Sequence, residues 1–158
     1  MFKTLLLTLL LACSTLTAAE SFDFKTVDGK RIAVQNYDGN FVFADPKYKK
    51  GNLVFFFFGT KCPYCEIDIP KVEKLYKSGD VEVIGVEAQT RVDGAALHRF
   101  TKSKGITFPV VDKASGNRLV RYLDSRRMWA GGVPSYIWVD KFGNLEALDF
   151  KELSKIAQ

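Results

Sequence analysis

The strongest extended pattern in the chain is the apolar run Leu53–Phe58, which contains no polar residue. The run is short, rich in phenylalanine and bounded by glycines, so it predicts a central β-strand buried on both faces. Upstream, apolar and polar residues alternate over 22–27 and again over 31–34. Because Asp28-Gly29 between these segments is a strong turn signal, the pattern predicts an N-terminal β-hairpin.

Helical and extended patterns alternate after the buried strand. An amphipathic helix is predicted to follow it, to bend at Pro70 and to end at Ser78-Gly79-Asp80. Further strands are predicted at 41–43, 81–86, 108–111, 136–139 and 145–150, helices at 91–103, 117–123 and 151–157, and turns or loops at 36–40, 45–51 and 140–143. This order indicates an α/β fold, and the hairpin of the last two strands requires a mixed central sheet flanked by helices.

The composition is that of one globular domain. The chain has 158 residues, of which 47% are hydrophobic and 13% aromatic, enough for a sizeable core. The formal charge of +5 is modest and spread along the chain, with no dense block of Lys and Arg. Nucleic-acid binding is therefore not expected.

Residues 1–19 differ from the rest of the chain. Lys3 supplies a positive charge, an apolar stretch follows over 5–12, and small residues lead up to Ala19. This is the three-part layout of a secretory signal peptide. We expect cleavage after Ala19, which leaves 20–158 as the folded domain; an uncleaved membrane anchor is the alternative.

Cys13 allows a second interpretation of this segment. Residues 10–13, LLAC, resemble a bacterial lipobox, in which the cysteine becomes the lipidated N-terminus. In either case Cys13 takes no part in redox chemistry, and the folded domain retains Cys62 and Cys65. Export predicts the periplasm, a compartment in which disulfides form.

The motif Cys62-Pro63-Tyr64-Cys65 comes just after the buried strand, at the predicted start of the helix. A helix N-terminus presents unpaired N–H groups and a positive dipole end, which lower the pKa of a thiol placed there. Lys61 adds a positive charge, and Pro63 suits the first helical turn. Cys62 is therefore the expected nucleophile, and Cys65, one turn later, the resolving thiol.

Two other roles for the cysteine pair stay open. A structural zinc site needs four ligands, and His98 is the remaining imidazole or thiol candidate in the predicted folded domain. Copper can be held by fewer ligands, so a non-enzymatic metal carrier is a rival hypothesis. A purely structural disulfide is the third hypothesis, although so small a loop constrains the unfolded chain little.

A second signal is Gly131-Gly132-Val133-Pro134, directly before a predicted strand. A proline in this setting is a candidate for a cis peptide bond, although an ordinary edge-strand proline gives the same pattern. The functional interpretation places the Val133-Pro134 turn against the cysteines. The backbone of Val133 would then pair with a bound substrate strand.

Together these motifs resemble the thioredoxin superfamily, and most closely its exported TlpA/ResA/CcmG (DsbE) branch. The similarity covers nearly all of the chain after the signal peptide. The matching segments are the hairpin at 22–30, Cys62-x-x-Cys65-x-x-Asp68-x-Pro70, the strand at 81–86, Ile106-Thr107-Phe108-Pro109-Val110, and the Val-Pro segment with its hairpin at 132–143. The resemblance implies a thioredoxin-like fold, a redox-active disulfide between Cys62 and Cys65, and Pro134 as the cis-proline.

Several positions depart from the pattern of this branch. Lys61 replaces the usual Trp before the first cysteine, and Asp68 replaces a frequent Glu. Ser135 follows the proline where many cytochrome-c-maturation members carry Glu, and Phe56 stands where thioredoxin has a buried Asp. These departures weaken a cytochrome-specific assignment and leave the dithiol chemistry in place.

The remaining candidates flank the two motifs. Lys61, Glu66 and Asp68 can tune the thiol pair, although the two carboxylates are more simply interpreted as solvated. His98 is interpreted as a surface residue of a helix. The segment 126–129, Arg-Arg-Met-Trp, forms either part of a substrate-facing rim or a buried Trp with solvated arginines.

The sequence thus predicts an exported thiol–disulfide oxidoreductase that needs no cofactor. Pro63, Tyr64, Val133 and Pro134 are the expected groove residues. Expected partners are protein thiols and disulfides, apocytochrome c among them, and a membrane thiol donor or acceptor. Lys61 favours an oxidant of the DsbA type, whereas the resemblance favours a reductant, which we prefer.

Overall fold

The computed structural model describes residues 20–89 and 92–156. The predicted signal peptide, with Cys13, lies outside the described residues, as do Arg91 at the predicted start of one helix and Ala157 at the end of another. Within the described ranges, no helix has both the length and the apolar character needed to cross a bilayer.

Eight strands and four helices make up the described chain. The strands are β1 (Glu20–Lys25), β2 (Arg31–Tyr37), β3 (Asn40–Phe43), β4 (Leu53–Phe58), β5 (Glu82–Glu87), β6 (Val110–Val111), β7 (Ser135–Val139) and β8 (Leu145–Leu148). The helices are α1 (Pro63–Ser78), α2 (Gly94–Ser103), α3 (Lys113–Ser125) and α4 (Phe150–Ile156), with a 3₁₀ turn at Pro46–Lys49.

The central sheet has five strands in the order β6-β5-β4-β7-β8. β4 runs parallel to β5 and antiparallel to β7, and β5 runs parallel to β6. Since both kinds of pairing occur in one sheet, the predicted mixed α/β architecture is confirmed.

The N-terminal hairpin is confirmed as β1 and β2, and β3 extends it to a three-stranded antiparallel sheet. The prediction of a turn over 36–40 was too broad. Asn36 and Tyr37 belong to β2, and the buried Asn36 side chain accepts the N–H of Gly39 at 2.9 Å. The turn narrows to Asp38 and Gly39, which have φ angles of 51° and 104°.

Side-chain caps explain where several helices begin. α3 starts four residues before the predicted 117 because the Asp112 carboxylate accepts the N–H of Ser115 at 2.8 Å. α2 starts at Gly94 because Asp93 accepts the N–H of Ala96 at 2.6 Å. Such caps satisfy N–H groups that lack a partner in the first helical turn.

Two strands, β6 and β8, are shorter than the sequence pattern predicted. A proline precedes β6, and a polar helix cap follows β8. β8 stops at Leu148, because Asp149 and Glu152 exchange backbone and side-chain hydrogen bonds of 2.7 and 2.8 Å that begin α4. β6 contains Val110 and Val111 only, after Pro109, which has no N–H to donate.

β4 lies in the middle of the sheet, and all six of its side chains are fully buried, as the apolar run predicts. Leu53, Phe55 and Phe57 face the N-terminal sheet and α3. Val54, Phe56 and Phe58 face α1 and the cysteines. β4 therefore ends at the point where the chain enters the cysteine motif.

Candidate active site

The two cysteines of the CPYC motif are joined by a disulfide at the start of α1, with their Cα atoms 5.2 Å apart. Cys62 is the N-cap of the helix, with extended backbone angles of φ −104° and ψ 109°. Its Sγ accepts the N–H of Cys65 at 3.1 Å. One sulfur thus takes the place that a serine or aspartate oxygen occupies in an ordinary helix cap.

The two cysteine residues differ slightly in their exposure to solvent. Cys65 is fully buried and its Sγ accepts the N–H of Gly59 at 3.4 Å, whereas Cys62 keeps a small exposed fraction of 4%. The residues between them are both exposed, with Tyr64 at 73%. Cys62 is consequently the more exposed cysteine of the pair.

The Val133–Pro134 peptide bond is cis, and this turn lies against the cysteines. The carbonyl oxygen of Val133 is 3.7 Å from the Sγ of Cys62, although 71 residues separate them in sequence. Ser135, the next residue but one, begins β7 and pairs with Phe57 of β4. The sheet thereby brings the two sequence motifs together.

The two carboxylates that follow the cysteine motif, Asp68 and Glu66, both have ion-pair partners but differ in their exposure to solvent. Asp68 has a side chain only 15% exposed, accepts the hydroxyl of Tyr136 at 2.8 Å and pairs with Lys71 at 2.8 Å. The interpretation of Asp68 as a solvated surface group was therefore wrong. Glu66 is half-exposed and pairs with Lys104 of the segment after α2, at 2.9 Å.

Tyr136 is a site residue that the sequence reasoning missed. Its ring stacks on Phe56 with centroids 5.3 Å apart and planes 12° apart, within the same apolar cluster as both cysteines. Burial, and then the hydrogen bond to Asp68, raise the pKa of Tyr136 far above its usual range, so the phenol stays protonated. The alternation of side chains along β7 could have placed it on the α1 face.

The segment 126–129 lies between α3 and the cis-proline turn. Arg126 and Arg127 are exposed, Met128 and Trp129 are partly buried, and Arg126 approaches Asp38 at 3.9 Å. The indole N–H of Trp129 donates to the carbonyl of Gly132 at 3.1 Å and to the hydroxyl of Ser135 at 2.9 Å.

The sequence analysis also did not predict that two glutamates, Glu73 and Glu87, are buried. Glu73 of α1 accepts the N–H of Thr107 at 2.9 Å and the hydroxyl of the same residue, and it pairs with Lys77 at 3.2 Å. Burial raises the pKa of Glu73, but these hydrogen bonds outweigh it and lower the pKa below its usual range. Glu87 is buried at the end of β5, opposite Phe58.

His98 lines a groove whose lining residues do not include either cysteine. This groove of about 360 Å³ lies between the N-terminal hairpin and α2, and Tyr48 and Tyr76 also line it. In the described ranges, no three His, Cys, Asp or Glu residues come together as a group that could hold a metal ion. Lys61 is exposed beside Cys62.

The site combines a central strand, a cysteine pair at the start of a helix and a cis-proline turn. This combination is a thioredoxin-like arrangement. The sequence pattern of the AhpC/TSA family matches residues 16–148, and the chain belongs to this family. The predicted resemblance to thioredoxin-like proteins is thus confirmed.

Individual relatives agree with this assignment. The thiol-disulfide oxidoreductase ResA of Halalkalibacterium halodurans is 32% identical over 96 residues, which are 59% of this chain and 47% of that protein. The chain therefore spans about half the length of this curated relative.

Solved structures show the fold independently. A thiol:disulfide interchange protein of the thioredoxin family from Chlorobium tepidum has a TM-score of 0.60 at 24% identity, covering 88% of this chain and 94% of that chain. A secreted disulfide oxidoreductase of Mycobacterium tuberculosis, homologous to E. coli DsbE, has a TM-score of 0.57 at 21% identity, covering 86% and 93%. These likenesses confirm the thioredoxin-like fold.

Proposed function

We propose that the protein is a thiol–disulfide oxidoreductase that exchanges electrons with protein disulfides through Cys62 and Cys65. The observation that carries this proposal is the position of the Cys62 sulfur. It caps a helix, is bonded to a fully buried Cys65, and lies 3.7 Å from the carbonyl oxygen of the cis-proline turn. The name of the H. halodurans relative, a thiol-disulfide oxidoreductase, supports the same chemistry.

The reaction begins with the reduced protein. The Cys62 thiolate attacks one sulfur of a substrate disulfide, forms a mixed disulfide and releases the other substrate sulfur as a thiolate, which takes up a proton. The Cys65 thiol then loses its proton, and the resulting thiolate attacks the Cys62 sulfur and releases the second substrate sulfur as a thiolate, which takes up a proton. Two electrons pass to the substrate, and the protein is left with the Cys62–Cys65 disulfide.

The helix start assists the first step. The Cys65 N–H, 3.1 Å from the Cys62 sulfur, and the positive end of the α1 dipole both stabilise a thiolate at Cys62. Cys65 is shielded from external disulfides by its burial, so it reacts with the sulfur already bound to Cys62.

The cis-proline turn supplies the docking edge for the substrate. A substrate strand can pair with the backbone of Val133, because this residue precedes β7 and its carbonyl faces the Cys62 sulfur. Pro63 and Tyr64 are exposed next to Cys62, and Pro134 makes the cis peptide bond of the turn, so we assign these three residues to the proposed substrate groove.

Cysteine variants test this reaction directly. Pre-reduced wild type should reduce the interchain disulfides of insulin, C62S should be inactive, and C65S should accumulate a mixed disulfide visible on non-reducing gels. The double variant C62S/C65S is the control, which should neither reduce insulin nor form a mixed disulfide. Equal trapping by C62S and C65S would contradict the proposed division of roles.

We propose that electrons flow from this protein to its substrates, as in the TlpA/ResA/CcmG branch. A membrane thiol donor would then restore the dithiol, and apocytochrome c is among the candidate substrates. The potential of the Cys62–Cys65 pair in glutathione buffers tests the direction. A value near that of thioredoxin, about −270 mV, supports a reductant, whereas one near that of DsbA, about −120 mV, indicates an oxidant.

We also propose that the protein acts in the periplasm after export by residues 1–19. The pattern of charge, apolar stretch and small residues supports this location. The mass of the exported chain decides between the two processing sites, because cleavage after Ala19 leaves Glu20 first, whereas a lipoprotein begins at a lipidated Cys13. A cytoplasmic, unprocessed chain would contradict both.

A further inference from the structure

Trp129 makes contacts on both sides of the cis-proline turn. Its indole N–H is shared between the carbonyl oxygen of Gly132, at 3.1 Å, and the hydroxyl oxygen of Ser135, at 2.9 Å. These acceptors are the residues immediately before and after the Val133–Pro134 pair. A single donor therefore fixes the distance between the two ends of the turn.

The ring of Trp129 anchors this contact to the centre of the sheet. It stacks on Phe57 with centroids 5.5 Å apart and planes 27° apart. Phe57 is fully buried in β4, and its register partner on β7 is Ser135. The indole, the turn and the two central strands thus form one connected unit.

The backbone that carries Trp129 has its own attachment to α3. The N–H of Met128 donates to the carbonyl of Leu123 at 2.9 Å, and that of Arg127 donates to Asp124 at 2.9 Å. Arg127 and Gly131, on either side of Trp129, have positive φ angles of 56° and 83°. The segment is irregular, so its position depends on such specific contacts rather than on a helix or strand.

We propose that Trp129 is a positioning residue, which holds the Val133 backbone where an extended protein substrate must pair with it beside Cys62. This inference rests on the proposed oxidoreductase function. A substrate peptide requires the turn to be in place, since its backbone pairs there, whereas a small disulfide needs only the Cys62 sulfur. Trp129 therefore selects for protein substrates without touching the reacting sulfurs.

The W129F variant tests this role because it keeps an aromatic ring over Phe57 and removes the N–H. The second-order rate constants of the pre-reduced protein are measured with insulin and with hydroxyethyl disulfide. We expect the rate constant with insulin to fall about tenfold, the effect of about one hydrogen bond, and that with hydroxyethyl disulfide to change less than about twofold. The reduction potential of the Cys62–Cys65 pair should remain that of the wild type.

Two further variants make the test specific. S135A removes one acceptor of the indole N–H and, like W129F, should lower the rate constant with insulin. It also tests the positioning role if W129F does not fold. W138F is the matched control, because Trp138 lies on β7 and belongs to the cluster on the other face of the sheet. It should show no loss confined to insulin.

Other outcomes overturn the inference. Equal losses with both disulfides would mean that Trp129 acts on the cysteines or on folding in general, and an unchanged insulin rate in both W129F and S135A would remove the positioning role. A wild type that reduces hydroxyethyl disulfide but not insulin would refute the docking edge itself. Failure of the wild type with both disulfides would instead count against the oxidoreductase function.

Discussion

The two faces of β4 differ in what they bury. The face toward the N-terminal sheet is a cluster of aromatic rings, in which Phe55 lies 5.7 Å from Phe24 and 6.1 Å from Phe41 between centroids. The face toward α1 also contains phenylalanines, but there they surround the cysteine disulfide and Tyr136. Strand neighbours only one residue apart thus belong to different environments.

The two faces of β4 also differ in the polar groups that are buried against them. On the α1 face, the largely buried carboxylates of Asp68 and Glu73 are satisfied by Tyr136 and Thr107. Burying such groups costs free energy unless they are hydrogen-bonded, so this face depends on specific pairs as well as on apolar area. We infer that the aromatic face mainly supplies stability, except where Trp129 stacks on Phe57 beside the cis-proline turn, and that the α1 face supports the chemistry. Substitutions on each face can test this division.

The largest effect is expected for C62S. Removing the nucleophile should lower the rate of insulin reduction by about a thousandfold or more, since Ser is a far weaker nucleophile than a thiolate. The stability of the reduced protein should change by less than about 1 kcal/mol, because Ser is a favoured N-cap residue. Rates and urea unfolding, both under reducing conditions, measure the two quantities. A large loss of stability would show that the site cannot be separated from the fold.

F55A should have the opposite outcome. Phe55 is fully buried on the aromatic face, so its truncation should lower the free energy of unfolding by about 3–5 kcal/mol. The insulin rate per folded molecule should stay within about twofold of wild type, as measured at a temperature where the variant is folded. F55L serves as the milder control. A specific loss of activity at full folding would mean that the two faces are coupled.

Y136F tests the polar pairing of the α1 face. The variant keeps the ring over Phe56 and removes the hydroxyl that donates to Asp68, which should cost about 1.5–3 kcal/mol for a hydrogen bond to a charged group. Urea unfolding of Y136F, D68N and the double variant measures the coupling. Additive losses in the double variant would argue that the contact contributes nothing of its own.

E73Q should have the smallest effect and a distinct pH dependence. The pKa of Glu73 is lower in the folded protein than its ordinary value of 4.5, so the unfolded carboxylate takes up its proton first as the pH falls. Its contribution to stability is therefore present above pH 4.5 and is lost as the pH falls through the lower folded pKa.

Unfolding free energies across the acid range measure this contribution. We expect E73Q to be about 1 kcal/mol less stable than wild type at neutral pH, because a neutral amide replaces the charged acceptor of Thr107. The difference should shrink below pH 4.5. Parallel curves of unfolding free energy against pH for the two proteins would contradict a lowered pKa for Glu73. The control is T107S, which keeps the hydroxyl that donates to Glu73.

Much of the fold was predictable because its signals are local. The bounds of β4 agree with the apolar run, and Cys62 lies at a helix start as its place after that run indicates. The hairpin followed from Asp28-Gly29, whose Gly29 has a φ angle of 86°. The last residues of β2, up to Tyr37, were not predicted, because the polar Asn36 is buried through pairing with two other strands.

The site likewise combines features that local sequence signals predict with contacts that they do not. The sequence by itself determined the cysteine pair, its place at a helix start, and a proline before a late strand, because each depends on neighbours within a few residues. Only the tertiary structure brought the Val133 carbonyl to the Cys62 sulfur, Tyr136 to Asp68, and the Trp129 indole to Ser135 over Phe57. These contacts depend on which strands pair and in what register, and that is decided by the packing of the whole sheet rather than by any local pattern.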